Sequence, residues 1–370
     1  MAFIGATMIA SCTPEDGKRL CDALPGGSSS KTANCYIVSA PGTYSFQTVK
    51  GNSNESVGNV ASAVVLWESF GTSTSPSKGD IIKSVSYAAG SGSSAGTITY
   101  STPSNLRNGN AVIAAKDASG NILWSWHIWV CSDYDPVATA QTYYNNAGVM
   151  MDRNLGATSA KPGDVGALGL LYQWGRKDPF LGSSSISSNT QAKSTISWPS
   201  PVSSTSSNGT IAYAVAHPTT FITYNSSNWD WYYSSSHTTD NTRWQSGKTI
   251  YDPCPLGWKV PTGGPNGVWS KAAGSSSSFT YTYDSTNKGM NFSEKFGSAS
   301  TIWYPAAGML FWSDSILILL DVGSNGDWWS CTSYSFNAYR LYLRYTYFGD
   351  IDPSNYSGRA YGRSVRCLQE

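Results

Sequence analysis

Ala111-Val112-Ile113-Ala114-Ala115, then Lys116-Asp117-Ala118-Ser119-Gly120-Asn121, then Ile122-Leu123-Trp124-Ser125-Trp126-His127-Ile128-Trp129-Val130 is the stretch from which the fold class is read. Two apolar runs flank a short polar connection whose Gly120 and Asn121 can adopt positive φ, which is a hairpin signal. In the second arm Trp124, Trp126, Ile128 and Val130 recur at every second residue, so they share one face of a strand and predict a core stripe.

Upstream, Cys35-Tyr36-Ile37-Val38 precedes the turn Ala40-Pro41-Gly42, and Tyr44-Ser45-Phe46-Gln47-Thr48-Val49 alternates apolar with polar. Short strands at this spacing predict an N-terminal β-sandwich over residues 32–135. Within it, Gly92-Ser93-Ser94-Ala95-Gly96 fits the G-x-S-x-G nucleophile pattern. It sits in a Gly/Ser/Ala loop, whereas the catalytic turn needs a strand before it and a helix after it, so Ser94 reads as loop.

Only 13% of the 370 residues are charged, against about 25% in typical proteins, while 40% are hydrophobic, with 15 Trp and 23 Tyr. Lys plus Arg (24) nearly cancels Asp plus Glu (23), leaving +1 and no basic field for nucleic acid or anionic lipid. The longest apolar run, Phe3 to Ala10, is far shorter than the roughly 20 residues of a spanning helix. Membrane contact is expected only through a lipid anchor. Ile9-Ala10-Ser11-Cys12 after that run has the layout of a bacterial lipoprotein processing site, with Cys12 the candidate for lipidation; no Lys or Arg precedes it, so an ordinary N-terminal segment is the alternative. Thr13 to Lys31, rich in Pro, Gly and Ser, reads as a tether with a candidate protease site at Lys18-Arg19.

Cys21, Cys35, Cys131, Cys254, Cys331 and Cys367 remain once Cys12 is set aside, an even number that permits bridges. One candidate pair is Cys35 with Cys131, which would tie the first and last sandwich strands. No C-x-x-C or H-E-x-x-H spacing occurs, and His127, His217 and His237 are far apart, so no metal site is expected. After Asp135-Pro136 the texture changes and a second domain, 136–370, is expected. Gly166 to Trp174 predicts a helix with Leu168, Leu171 and Tyr172 on one face.

Several segments of this second part resemble the Fibrobacter succinogenes major paralogous domain, whose relatives adopt a C-type-lectin-like fold shared with formylglycine-generating enzymes. They are Met151-Asp152-Arg153-Asn154-Leu155-Gly156-Ala157, Leu171 to Phe180, Tyr251-Asp252-Pro253-Cys254-Pro255-Leu256-Gly257-Trp258-Lys259-Val260-Pro261-Thr262, Trp329-Ser330 and Arg359 to Cys367. The resemblance implies a Cys254–Cys367 disulfide and an unpaired Cys331. The first part is similar to sandwich domains of fimbrillin-like surface lipoproteins, through Ala33 to Val38 and Trp124 to Val130. Together they imply a mainly β chain with an α+β C-terminal domain, placed at the cell surface or outer membrane.

Trp303 to Tyr361 holds 15 aromatic residues in 59 positions. Period-2 geometry puts Tyr339, Leu341 and Leu343 on a buried face and Arg340, Tyr342 and Arg344 on an outward one. Arg and Tyr on a rigid strand have the chemistry of a binding hot spot; a solvated sheet face is the bland alternative. Some lectin-fold proteins of this kind are targets of diversity-generating retroelements. That resemblance implies a variable ligand-binding surface at Phe311, Ile316, Ile318, Asp327, Phe336, Arg340, Tyr342, Arg344, Tyr345, Tyr347, Phe348, Asp350 and Tyr356.

Enzymatic readings fare worse. The oxidation chemistry of formylglycine-generating enzymes needs two reactive cysteines, and Cys367 is already claimed by Cys254. Asp350 and Asp352 lie on one short loop, where they cannot flank a glycosidic bond. Calcium is a candidate cofactor through Asp350, Asp352 and Asn355, but the sugar motifs of calcium-dependent lectins are absent. The sequence thus predicts a surface adhesin, a pilus-tip protein or outer-membrane lipoprotein. Its expected partners are a protein or glycan on another cell, and pilus or envelope subunits through the sandwich. A phage tail-tip receptor-binding protein and a structural envelope lipoprotein are the alternatives.

Overall fold

The computed structural model describes residues 32–92, 95–224, 228–236, 238–274, 279–280, 282–313, 316–345 and 350–370. Cys12, Cys21, Lys18-Arg19, the tether, Ser94, His237, Tyr347 and Phe348 lie outside them. The chain is mainly β, 36% strand and 5% helix. Among the described residues no helix is long and apolar enough to cross a membrane.

The opening hairpin forms as its pattern requires, from strands Gly109–Lys116 and Ile122–Val130. Its connection is organised by Asp117, whose carboxylate accepts from the Ser119 and Asn121 amides and the Asn121 side chain, while Gly120 takes φ +85°. Cys35–Val38 joins Ile122–Val130 in parallel, and Ser62–Ser69 joins the other edge, making a four-stranded sheet. A three-stranded sheet, Thr43–Gln47, Thr97–Ser101 and Ser84–Ala88, faces it. Between them lie Phe46, Ile98, Tyr100, Ile113 and the stripe Trp124, Trp126, Ile128 and Val130.

The second face of the four-stranded sheet is covered too, by residues that follow it in the chain. Trp67, Val112, Trp129 and Cys131 share one buried cluster with Leu155, Tyr172, Trp174, Cys254, Trp258, Trp329 and Val365. Polar residues on this face are therefore buried and paired across the junction. Asn110 donates to the Gly156 carbonyl and accepts from His127 Nε2; Trp129 donates to Ala157; Lys177 donates to Ser125, which donates to Asp178. Burial drives the His127 imidazole down to about 3, so the ring is neutral.

Three expectations need correction. Gly166 to Trp174 is a short 3₁₀ turn, Val165–Ala167, followed by the strand Leu170–Gln173, fully buried between Phe180–Leu181 and Gly362–Ser364. Gly169 at φ +72° ends the turn, and a short apolar run buried on both sides has no period to separate helix from strand. Cys35 and Cys131 are free and buried. Cys35 pairs in register with His127, and Cys131 lies four residues farther along the same strand direction, roughly 13 Å away, beyond disulfide reach. Finally, Tyr339 is only half-buried, because its ring packs on Tyr334 and Tyr356, which are themselves exposed, rather than on core residues alone.

The second part of the chain is built on a large sheet in which Phe180–Leu181, Leu170–Gln173, Gly362–Ser364, Asn325–Tyr334, Asn337–Arg344, Asp350–Gly358 and Phe279–Thr280 follow one another. The hairpin Met309–Ser313 and Ile316–Leu320 attaches to it through Leu310 opposite Gly362. Cys254 and Cys367 form a disulfide with Cα atoms 6.0 Å apart, closing a separation of 113 residues.

Candidate functional site

The candidate binding residues sit on this large sheet. Beneath it Trp328, Leu341, Leu343 and Ile351 are buried with Trp269, Phe292 and Tyr304. Arg340, Tyr342 and Arg344 alternate with those leucines and lie in register with Trp329, Asp327 and Asn325 on one neighbour and with Asn355, Asp352 and Asp350 on the other.

The row is less open than strand parity predicts. Asp327 is 2% exposed and ion-paired to both Arg340 and Arg363. Arg340, its side chain 12% exposed, also donates to Asn355 Oδ1 and lies 4.3 Å from the Tyr342 ring centre. Burial, with Arg340 as a like charge beside it, lowers Arg363 to about 9. These groups form a closed polar layer, while Arg344 stands exposed beyond it.

Exposed apolar side chains lie toward the ends of the strands. Tyr356 lies opposite Tyr339 and 4.4 Å from the Tyr334 ring, with Phe336 in the adjoining turn. Tyr345 packs 4.5 Å from Tyr283 at the other end. Phe311 and Ile318 face each other across their hairpin and are half-buried, and Ile316 at its end is 62% exposed. Of Asp350 only the backbone is described.

Asp352 does not offer free oxygens to calcium: one accepts from the Ser354 amide and hydroxyl, the other from the Asn355 side chain. The Asn355 oxygen is taken by Arg340. Cys331 is buried, which pushes its thiol up to about 12, and Cys367 is in the disulfide, so the two form no reactive pair.

Sequence reasoning missed an adjoining group. Tyr224, Trp229, Phe311, Trp312 and Tyr361 make a continuous set of ring contacts, from 4.5 Å for Tyr224–Trp229 to 5.6 Å for Trp312–Tyr361. The run Asn228-Trp229-Asp230-Trp231-Tyr232, aromatic residues between turn formers, was the available signal.

Two concavities occur elsewhere, one lined by Phe70, Leu170 and Ala192, the other by Arg176, Asp178 and Trp231, each of about 10 Å³. That is room for about one water, so neither admits a metabolite. No family model matches the chain, and no similar curated protein or solved structure was found.

Proposed function

We propose that the chain is a cell-surface adhesin, a pilus-tip protein or outer-membrane lipoprotein, that binds a ligand at the exposed ends of the large sheet, through Ile316, Phe336, Arg344, Tyr345 and Tyr356. One observation carries the reading. Of nine exposed large apolar side chains among the described residues, five, Ile316, Tyr334, Phe336, Tyr345 and Tyr356, lie on the strands of one sheet or directly beside them. Clustered exposed aromatic residues over a rigid base favour recognition, because they lose little conformational entropy on contact.

We further infer a β-sandwich followed by a C-type-lectin-like domain. Support comes from the two facing sheets with a common core, and from the way the quoted motifs converge: Trp174 Nε1 donates to Ser330, Trp329 Nε1 to Tyr172, Trp328 Nε1 to Asn154, and the Met151 amide to Cys367.

The test is flow cytometry of fluorescent full-length chain on a panel of bacterial and epithelial cells. Arg344→Ala/Tyr345→Ala should weaken binding by about tenfold or more without changing the circular dichroism spectrum. Undiminished binding by the folded double variant would move the site elsewhere.

A further inference from the structure

Trp229 combines two features that folding does not ask for. It is a bulky residue at φ +49°, a left-handed conformation that costs most side chains energy and that glycine adopts freely. The residue is also 49% exposed, so only partial burial offsets that strain.

The loop is nevertheless held rigidly. Asp230, next in the chain, is fully buried in a bidentate pair with Arg243 and a further contact to Arg359. Its amide donates to Asn228 Oδ1, and it accepts from the Tyr232 amide. The Trp229 carbonyl accepts from Ala360. Gly358 permits this approach, since a Cβ there would meet Trp229 Cβ at 2.9 Å and Tyr361 Cε2 at 3.2 Å. A strained, exposed ring held by a buried ion-pair cluster is the pattern of a functional side chain.

We propose that Trp229, with Tyr224, Trp312 and Tyr361, is an aromatic subsite that stacks on the apolar C–H face of a neutral pyranose. This deepens the adhesin reading and rests on it. The chemistry selects a sugar for three reasons. The platform is a set of ring faces, the surface on which the C–H face of a sugar ring can lie. Tyr224 and Tyr361 are half-buried and carry phenolic hydroxyls, which both donate to and accept from sugar hydroxyls. The neighbouring arginines are all occupied: Arg243 and Arg359 are buried on Asp230, and Arg340 and Arg363 are turned into Asp327 with side chains 12% and 2% exposed, so none of them is open to an anionic ligand.

Saturation-transfer NMR on the full chain tests this with methyl β-D-glucopyranoside, methyl β-D-galactopyranoside, methyl α-D-mannopyranoside and methyl α-L-fucopyranoside. At least one should receive saturation at its ring C–H protons. Trp229→Gly should abolish that signal with Tm unchanged or raised, Trp229→Phe should retain part of it, and Arg344→Ala/Tyr345→Ala should keep it. Transfer to none of the four, or equal transfer in Trp229→Gly, overturns the subsite. The adhesin reading survives either result if the Arg344→Ala/Tyr345→Ala variant still loses cell binding. If Trp229→Gly loses cell binding but periodate treatment of the cells leaves wild-type binding intact, the platform contacts protein and the sugar assignment fails.

Discussion

Trp129→Ala is expected to destabilise the whole chain rather than its first hundred residues. The indole is fully buried in the cluster that joins residues 35–134 to residues 151–367, its ring 5.2 Å from Tyr134 and its Nε1 bonded to the Ala157 carbonyl. Truncating a buried Trp costs about 3–5 kcal/mol, and the orphaned Ala157 carbonyl adds about 1–3 kcal/mol. With a urea slope of about 3 kcal/mol/M the midpoint should fall by more than about 1 M. Hydrogen exchange with mass spectrometry across the urea series reads each part separately, through peptides covering Gly109–Lys116 and Asn337–Arg344. Both should lose protection at one common midpoint and shift together. Two separate midpoints, with Asn337–Arg344 unmoved by the substitution, would refute the shared core as a cooperative junction.

Other expectations follow from single groups. Leu343→Ala should open a core cavity and cost about 2–5 kcal/mol by thermal unfolding, whereas Arg344→Ala should stay within about 0.5 kcal/mol. Cys254→Ser should lower stability by about 4 kcal/mol, since the closed loop exceeds 100 residues; an unchanged Tm counts against the bridge. Acid behaviour is set by two opposed groups. His127, held down to about 3 by burial, contributes stability present above pH 6.5 and lost as pH falls toward 3. Asp252, raised to about 6 by burial, contributes stability present below pH 3.8 and lost as pH rises through 6. His127→Gln should therefore gain about 2 kcal/mol between pH 7 and pH 4, while the wild type changes less. A His127→Gln variant that loses stability over that range would show the assignment of Asp252 to be wrong, and a wild type that gains as much as the variant would show that of His127 to be wrong.

The hairpin at residues 109–130 was legible because a period-2 stripe and a Gly-Asn turn are local signals. What covers its second face was not, because Ser125 and Trp129 meet partners 28 or more residues away in sequence. The same limit hid the fate of Arg340: parity turned it away from Leu341 and Leu343, but only tertiary pairing shows that Asp327 and Asn355 occupy it. Leu170–Gln173 was misread because complete burial erases amphipathic periodicity. The run Asn228 to Tyr232 marks an aromatic loop, but the left-handed φ of Trp229 leaves no trace in sequence.

Hydroxyl-radical footprinting of the chain bound to cells it adheres to tests the location of the binding face most directly. Side-chain oxidation should fall at Tyr334, Tyr345, Tyr356 and Trp229, all exposed in the free chain, and stay unchanged at exposed Val137 and Tyr144. Protection of Val137 and Tyr144, with the residues between 334 and 356 oxidised as in the free chain, would contradict it.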